Sequence, residues 1–321
     1  MKKIKLPQET GIAIVMLLVF LVGFIVTPNF LTLSNIMILL LNGSVICFLC
    51  LGQTFVLLTG GIDLSTGSIV AMTCVLAAVF MEYLQLAWWI AVILVLLIGA
   101  FTGLVSGFII AKTKVPPFIV TFAMQGVAAS IPQIITKANS IRVTDINYSL
   151  IGQSRILGIP FPVIALIIAA FIASYFLKKT IKGVHIYAVG GNSDASRLAG
   201  INIQKTIMLV YAISGLCAAC GGLIYGSRLM VGYPTAGRGE ELFFSIAGAV
   251  VGGVSLFGGI GTVSGAMIGA IMIASISNLM NVVNVNAYWQ PLVIGVIILI
   301  GVIIDTTKSF DKSFLTKFLK K

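Results

Sequence analysis

Long apolar runs separated by short polar segments constrain the fold of this chain more than any other feature. A helix needs about 20 predominantly apolar residues to cross the hydrocarbon core of a bilayer. Candidate runs lie at 11–27, 34–58, 66–84, 88–111, 116–135, 160–177, 205–227, 241–257, 263–280 and 288–304. The sequence therefore predicts an all-α, polytopic membrane protein with about ten transmembrane helices. The stretch 241–280 could instead form half-helices that dip into the membrane.

The composition excludes several classes of protein. Only 9% of the residues are charged and the mean hydropathy is +1.13, whereas an ordinary soluble domain has about 25% charged residues. So little charge excludes a soluble enzyme, a soluble DNA-binding protein and a disordered chain. The net charge of +11 comes from residues between and beyond the apolar runs. Because no basic face alternates with aromatic residues, we expect no nucleic-acid partner.

The distribution of basic residues predicts the orientation in the membrane, because cytoplasmic loops carry an excess of Lys and Arg. We place the N-terminus in the cytoplasm and let ten spans alternate. Of the 20 Lys and Arg residues, five then lie outside and the remaining 15 inside. The outside residues are Lys137, Arg142, Arg155, Arg228 and Arg238. Both termini are therefore predicted to be cytoplasmic, and the first run to be an uncleaved helix, since no A-x-A-like cleavage site follows it.

We predict one transmembrane domain over residues 1–305, with a long cytoplasmic loop at 178–204, followed by a basic tail at 306–321. In the tail, Phe310, Phe314 and Phe318 recur at helical spacing among lysines. This pattern favours a short amphipathic helix on anionic lipid head groups, and a frayed tail is the alternative.

A short repeat favours a duplicated architecture. Gly60-Gly61-Ile62 followed by Gly67 recurs, 198 positions later, as Gly258-Gly259-Ile260 followed by Gly265. In the ten-span topology both copies fall on the cytoplasmic side, between an inward and an outward helix. The sequence therefore predicts parallel internal repeats, which are common in transporters.

Metal-ligating and catalytic motifs are missing from the sequence. Two cysteine pairs, Cys47/Cys50 and Cys217/Cys220, have C-x-x-C spacing, but zinc normally needs four ligands and the single histidine, His185, is distant. Buried cysteines acting as small apolar side chains are the simpler interpretation. The sequence has no H-E-x-x-H, catalytic aspartate pair or G-x-x-x-x-G-K-[ST] motif. We expect no metal, no cofactor and no enzymatic activity, so ATP hydrolysis would require another chain.

Neutral polar residues are instead distributed through the predicted spans. No series of Asp, Glu or His runs through the core, although Arg228, Arg238, Glu240 and Glu241 cluster at an outer boundary. This pattern weakens a proton- or sodium-coupled carrier, which needs intramembrane ion sites. Amides and hydroxyls can hydrogen-bond an uncharged polyol, or can pack helix against helix. As a set they favour a passage for a neutral hydrophilic solute, with candidate pathway residues Asn42, Gln53, Thr59 and Gln125.

The inner loop contains the best candidate for contact with a partner protein. Gly190-Gly191 is expected to break the chain, Asn192 or Ser193 to cap a short helix, Asp194 to favour its positive end, and Gly200 to end it. One side of this helix would present Ala195, Leu198 and Ala199. A helix of two turns is too short to be stable alone, so we interpret it as a docking element, and a surface turn is the alternative.

Several segments resemble the ribose-type sugar permeases of ABC importers. They are QTFV at 53–56, TGGIDLS at 59–65, GS at 67–68, KVPPFI at 114–119, YAVGGN at 187–192, Ala195, RL at 197–198, GIN at 200–202, PTAG at 234–237 and GGVSLFGGIG at 252–261. The resemblance is colinear from about residue 30 to residue 305. One departure is RGEEL at 238–242, where the family commonly has Thr/Gln-Gly-Tyr-Glu-Leu. It could change solute handling, alter contact with a binding protein, or form a local surface ion pair.

The resemblance implies a multi-pass subunit of the bacterial inner membrane that pairs with a second permease, either an identical copy or a paralogue. It also implies an extracytoplasmic sugar-binding protein and a cytoplasmic ATPase that drives the cycle. The helix at 192–200 would match the family's coupling helix, and Asp63 would lie near the cytoplasmic end of the pathway. The ATPase-coupling residues would be Asn192, Asp194, Ala195, Arg197, Leu198 and Gly200.

We therefore expect a permease subunit that moves a ribose-like monosaccharide into the cytoplasm, with ATP hydrolysed on a partner. Permeases for nucleosides, autoinducer-like sugars or branched-chain amino acids share much of the pattern and remain alternatives. An ion-coupled secondary carrier that works alone is the alternative from another class.

Overall fold

The computed structural model describes residues 9–113, 115–286 and 288–309. Helices dominate it, as predicted. They are α1 (Glu9–Val26), α2 (Leu33–Leu58), α3 (Thr66–Glu82), α4 (Trp88–Lys112), α5 (Pro117–Thr136), α6 (Ser149–Gln153), α7 (Phe161–Lys179), α8 (Ile181–Gly191), α9 (Ser193–Leu198), α10 (Ile203–Leu229), α11 (Glu241–Val251), α12 (Val263–Val282) and α13 (Trp289–Ser309). A helix begins within three residues of the start of each predicted apolar run. The tail predicted at 306–321 lies mostly outside the described residues and remains a prediction.

Six of the described helices, α2, α4, α5, α7, α10 and α12, are long and apolar enough to cross a membrane. The other predicted runs are occupied by four shorter apolar stretches, which are Thr10–Val26 in α1, Thr66–Glu82 in α3, Glu241–Val251 in α11 and Trp289–Ile303 in α13. A multi-pass membrane protein is therefore supported, while ten crossings, cytoplasmic termini and a parallel repeat remain predictions. The 11 residues of α11 rise only about 17 Å, roughly half the hydrocarbon thickness, which favours the half-helix alternative for this segment.

The centre of the bundle is formed by α10, which packs on α4, α2 and α3. Its contact with α4 depends on glycine, because backbones approach each other there without side chains between them. A Cβ atom at Gly103 would lie 2.0 Å from the Tyr211 carbonyl oxygen, and one at Gly215 would lie 2.1 Å from the Gly99 oxygen. Large apolar side chains on the outer faces of α4, α5 and α7, including Phe101, Phe122 and Phe171, are exposed.

A small layer of irregular structure covers one end of the bundle between α5 and α7. Strand β1 (Ile141–Arg142) pairs antiparallel with β4 (Val231–Gly232), and β2 (Arg155–Ile156) pairs with β3 (Ile159–Pro160). The buried Tyr148 hydroxyl donates to the Leu223 carbonyl at 3.3 Å. This layer fixes the end of α10 that carries Arg228, because the Gln153 side-chain amide donates to the Arg228 carbonyl at 2.9 Å.

Candidate functional site

Three glycine-containing segments meet where α2 ends, and we call residues 58–61, 187–191 and 257–261 the glycine junction. The Gly259 backbone N–H donates to the Leu58 carbonyl at 2.9 Å. A Cβ at Gly258 would lie 2.9 Å from the Gly60 nitrogen, and one at Gly190 would lie 1.8 Å from the Leu58 oxygen. The two copies of the Gly-Gly-Ile repeat therefore lie against each other, and α8 packs on both.

The expectation that Gly190-Gly191 breaks the chain is wrong. Helix α8 runs through both glycines to Gly191, and the break falls at Asn192, whose φ and ψ of −161° and 105° are extended. Gly190 is needed for close approach rather than for a turn, since any side chain there would meet the backbone of Leu58. The Tyr187 hydroxyl adds a 2.8 Å hydrogen bond to the Gly261 carbonyl.

The short helix expected in the inner loop is present as α9. Asn192, rather than Ser193, caps it, because the Asn192 Oδ1 accepts the Ala195 backbone N–H at 2.9 Å. At the other end Gly200 has a φ of +81°, and the Ile201 N–H donates to the Ser196 carbonyl at 3.0 Å. Ser196 is buried, whereas the other residues of 191–200 are exposed, and Leu198 is 90% exposed. Hydrogen bonds thus fix both ends of the helix, while the apolar Leu198 side chain is exposed on its surface.

Asp63 lies in the connection between α2 and α3 and is fully buried. Its Oδ1 accepts the Ser65 backbone N–H at 2.9 Å and the Ser65 hydroxyl at 2.6 Å, and its Oδ2 accepts the Ser214 hydroxyl at 2.7 Å. The buried Gln53 amide, with its nitrogen toward the Asp63 carbonyl, pairs with the Asp63 backbone at 3.3 Å on both sides. The Thr59 hydroxyl donates to the Val56 carbonyl at 2.8 Å at the end of α2. These predicted pathway residues therefore hold the connection in place.

A cavity of about 540 Å³ lies at the opposite end of α2, between α2, α10, α11, α12 and the start of α13. This volume is within the range of small-molecule sites, and we call it the polar cavity. Its polar lining consists of Asn42, Arg228, Glu240, Glu241, Ser277, Asn278, Asn281 and Gln290. Of the predicted pathway residues, Asn42 lines the polar cavity, whereas Gln125 is half-buried on α5, which contributes no lining residue.

The polar groups of the cavity are held by hydrogen bonds between helices. The Arg228 guanidinium donates to the Asn42 Oδ1. Asn278 and Asn35 exchange two amide hydrogen bonds of 2.8 and 3.1 Å. Elsewhere on the wall, the Gln290 amide donates to the Asn281 Oδ1 at 2.8 Å and accepts the Ser277 hydroxyl at 2.7 Å.

Two carboxylates complete the lining. Burial, and next the neighbouring Glu241 carboxylate, raise the pKa of Glu240 above its ordinary value. Among the described residues, the Glu241 Oε2 atom is buried without a hydrogen-bond partner. Arg238, the first residue of the unusual RGEEL segment, is exposed, so the two glutamates and the arginine have different surroundings.

Sequence reasoning found part of this lining and missed the rest. Charged residues at a predicted span boundary were a usable signal for Arg228, Glu240 and Glu241. Asn281 and Tyr225 carried no such signal, because they join the site only when α10 and α12 pack around the same space.

Comparison with known proteins identifies the family. A family model described as "Branched-chain amino acid transport system / permease component" matches residues 35–302. Ribose import permease proteins of Haemophilus influenzae and Escherichia coli K12 are 38% and 37% identical, each over 94% of this chain and 93% and 95% of their own lengths. The L-arabinose ABC transporter permease of Azospirillum brasilense is 33% identical over 94% of this chain and 88% of its own. No solved structure matches.

The match at 35–302 begins within α2 and ends within α13, so it contains the glycine junction, α9 and the polar cavity. Together with relatives above 30% identity along nearly the whole length, it shows that this chain belongs to that family of transport-system permease components.

Proposed function

We propose that this chain is the membrane permease subunit of an ABC importer for a monosaccharide of the ribose type. The observation that carries the proposal is the similarity to ribose import permeases over 94% of the chain. A D-allose permease and two L-arabinose permeases are also similar. The family description names branched-chain amino acids, but these relatives are named for sugars. The permease itself is not an enzyme, and a partner ATPase would supply the energy.

The finer topology follows from the same assignment. The chain would cross the inner membrane of a bacterium ten times, with both termini in the cytoplasm. This topology would put α9 on the cytoplasmic side, where the ATPase lies. An extracytoplasmic sugar-binding protein would then dock at the other end, and a second permease copy or paralogue would pair laterally. The basic tail at 306–321 would lie on the inner leaflet.

The docking element for the ATPase is α9. Its six residues are fixed by Asn192 at one end and Gly200 at the other, so the exposed Arg197 and Leu198 keep a defined position. Helix α8 connects α9 directly to the glycine junction. Movement of the ATPase would therefore reach the end of α2 and the segment 257–261 through backbone contacts, without a flexible linker.

Co-purification in mild detergent tests this assignment, with the ATPase identified by mass spectrometry. Leu198→Asp replaces an apolar contact with a charge, and Arg197→Glu reverses a positive charge at the interface. We therefore expect both variants to lose an ATPase that the unmodified chain retains. Leu157→Asp is the matched control, since Leu157 is 98% exposed in the β2–β3 hairpin, away from α9.

Two outcomes of the co-purification would contradict the proposal in different ways. Capture of no ATPase by the unmodified chain would overturn the importer assignment in favour of a solitary carrier. Equal capture by the Leu198→Asp and Leu157→Asp variants would overturn the assignment of α9. ATP-dependent uptake of labelled ribose into proteoliposomes that contain the assembled importer then tests the solute class.

A further inference from the structure

The polar cavity is built from the corresponding ends of several helices. It takes residues 39–46 from α2, 224–229 from α10, 274–281 from α12 and Gln290 from α13. In the ten-span topology all of these ends are extracytoplasmic. A solute arriving from outside would therefore meet this cavity before it reached the close-packed glycine junction.

The lining of the cavity combines two kinds of side chain. Amides, a guanidinium and two carboxylates lie beside apolar and aromatic side chains, including Leu39, Tyr225 and Phe244. Binding sites for small molecules typically combine an apolar lining with a few fixed polar groups. A sugar has hydroxyl edges and C–H faces, so it can contact both kinds of side chain at once.

The polar side chains of the lining have hydrogen-bonding capacity that the described part of the protein does not use. A guanidinium has five N–H donors, and the Arg228 head group makes one hydrogen bond among the described residues, to Asn42. No described residue donates to the buried Glu241 Oε2, although a buried polar atom without a partner costs about 1–3 kcal/mol. Amide pairs such as Asn35–Asn278 hold the neighbouring lining in place. The lining thus offers donors and an acceptor for a ligand.

The charges in the lining disfavour an ionic ligand. An anion in the cavity would face the carboxylates of Glu240 and Glu241, and a cation would face the guanidinium of Arg228. A neutral polyhydroxylated molecule encounters neither repulsion, and it can accept from the guanidinium and donate to a carboxylate. Hydrogen bonds to charged groups are the stronger class.

From these observations we infer that the polar cavity, which is lined by residues of a single subunit, is a binding site for a neutral polyhydroxylated solute, with Arg228 and Glu241 as its main contacts. The inference rests on the proposed function, because the cavity would bind the imported monosaccharide before it reaches the glycine junction. It does not require a residue from the second permease copy.

Thiol protection tests occupancy directly. Ser277→Cys places a reactive thiol in the lining. The unmodified chain is the control, since four of its five cysteines, at 47, 50, 74 and 217, are buried and the fifth, Cys220, is half-buried. In proteoliposomes with the partner ATPase, we expect ribose or inositol to slow labelling by a membrane-impermeant methanethiosulfonate. The slowing should be about tenfold when solute exceeds its Kd about tenfold. Ribose 5-phosphate, as an anion, should not protect.

Uptake kinetics give a second measurement if the cysteine variant folds poorly. We expect Glu241→Gln to lower ribose uptake by about tenfold, the effect of roughly 1.4 kcal/mol of lost solute binding. Glu82→Gln is the matched control, because the Glu82 carboxylate lies outside the cavity and accepts from Thr144.

The unmodified complex could import ribose while ribose fails to slow labelling of the Ser277→Cys variant and Glu241→Gln leaves uptake unchanged. That result would overturn the cavity site and leave the proposed function intact. Protection without any monosaccharide import would support the site and overturn the proposed function. Equal protection by ribose 5-phosphate would overturn the neutral-ligand assignment.

Discussion

The glycine junction and the polar cavity lie at opposite ends of α2, and they are packed in opposite ways. At Leu58 the backbones of three segments touch, and Gly190 has no space for a methyl group. At Asn42, about 24 Å away along the helix, the same helix lines a cavity of about 540 Å³. Helix α12 follows the same pattern, from backbone contact between Gly265 and Gly252 to polar lining at Asn278.

From this contrast we expect the end of the bundle with the polar cavity to change shape more easily than the end with the glycine junction. Close-packed backbones transmit displacement with little loss, because interiors of native density are not continuously deformable. Side chains around a cavity can rearrange at lower cost. The glycine junction is therefore suited to receive movement from α9, and the polar cavity to respond to it. The comparison predicts that substitutions of equal size differ greatly in effect between the two ends.

The largest effect is expected at the glycine junction. Gly190→Ala would place a Cβ 1.8 Å from the Leu58 carbonyl oxygen, so the backbone of α2 or α8 must move. Overpacking of this kind costs about 1–3 kcal/mol or more, and we expect a lower thermal transition of the purified importer and loss of ATP-driven uptake.

Its neighbour provides the matched control for this substitution. In Gly191→Ala, no atom of the described residues would lie within 4 Å of the new Cβ, so this variant should retain both stability and uptake. Equal transition temperatures for the two variants would contradict the close packing described for the junction.

A smaller but still large effect is expected at Asp63. Asp63→Ala removes the acceptor for the Ser65 N–H, the Ser65 hydroxyl and the Ser214 hydroxyl. A buried group left without a partner costs about 1–3 kcal/mol. Because the two hydroxyls can rotate toward other acceptors, the net loss should correspond to about one such group, the Ser65 N–H, and detergent-solubilised protein should unfold at a clearly lower temperature.

Asp145 is the control for Asp63, because its Oδ1 accepts the Asn147 backbone N–H in the same i to i+2 arrangement, at 3.0 Å, on the exposed side of the protein. Asp145→Ala should cost about 1 kcal/mol or less, as for an exposed cap. If the Asp63 variant were no less stable than the Asp145 variant, the buried cluster would not be holding the connection between α2 and α3.

The smallest effect is expected at the polar cavity. Gly43→Ala adds the same methyl group to α2 as Gly190→Ala adds to α8, but the new Cβ would meet one atom, the Ala274 Cβ, at 3.2 Å. Alanine is favoured over glycine inside a helix by about 1 kcal/mol, which offsets the tight contact.

We therefore expect the transition temperature of the Gly43→Ala variant to stay close to that of the unmodified protein in the thermal assay used for Gly190→Ala. A loss as large as that of Gly190→Ala would mean that both ends of α2 are equally close-packed, and would remove the basis of the comparison.

Local sequence determined the helical membrane class, the positions of the apolar helices and the presence of α9. These features depend on residues within about 20 positions of one another, so apolar run length, an Asn or Ser before a helix and a Gly after it were sufficient signals. The structure then decided that Asn192 and not Ser193 is the cap. The resemblance carried by segments such as TGGIDLS at 59–65 likewise indicated the family, because those residues are contiguous.

Only the tertiary structure decided which residues meet. Gln53 and Asp63 lie in a buried cluster with Ser214, and Gly190 serves close packing rather than a chain break. The polar cavity assembles residues from Leu39 to Gln290. These contacts join positions far apart in sequence. The residues next to a glycine or an asparagine in the sequence are not enough to tell whether it packs against the backbone of another segment or lines a cavity. Helix packing, which local periodicity does not encode, made the difference.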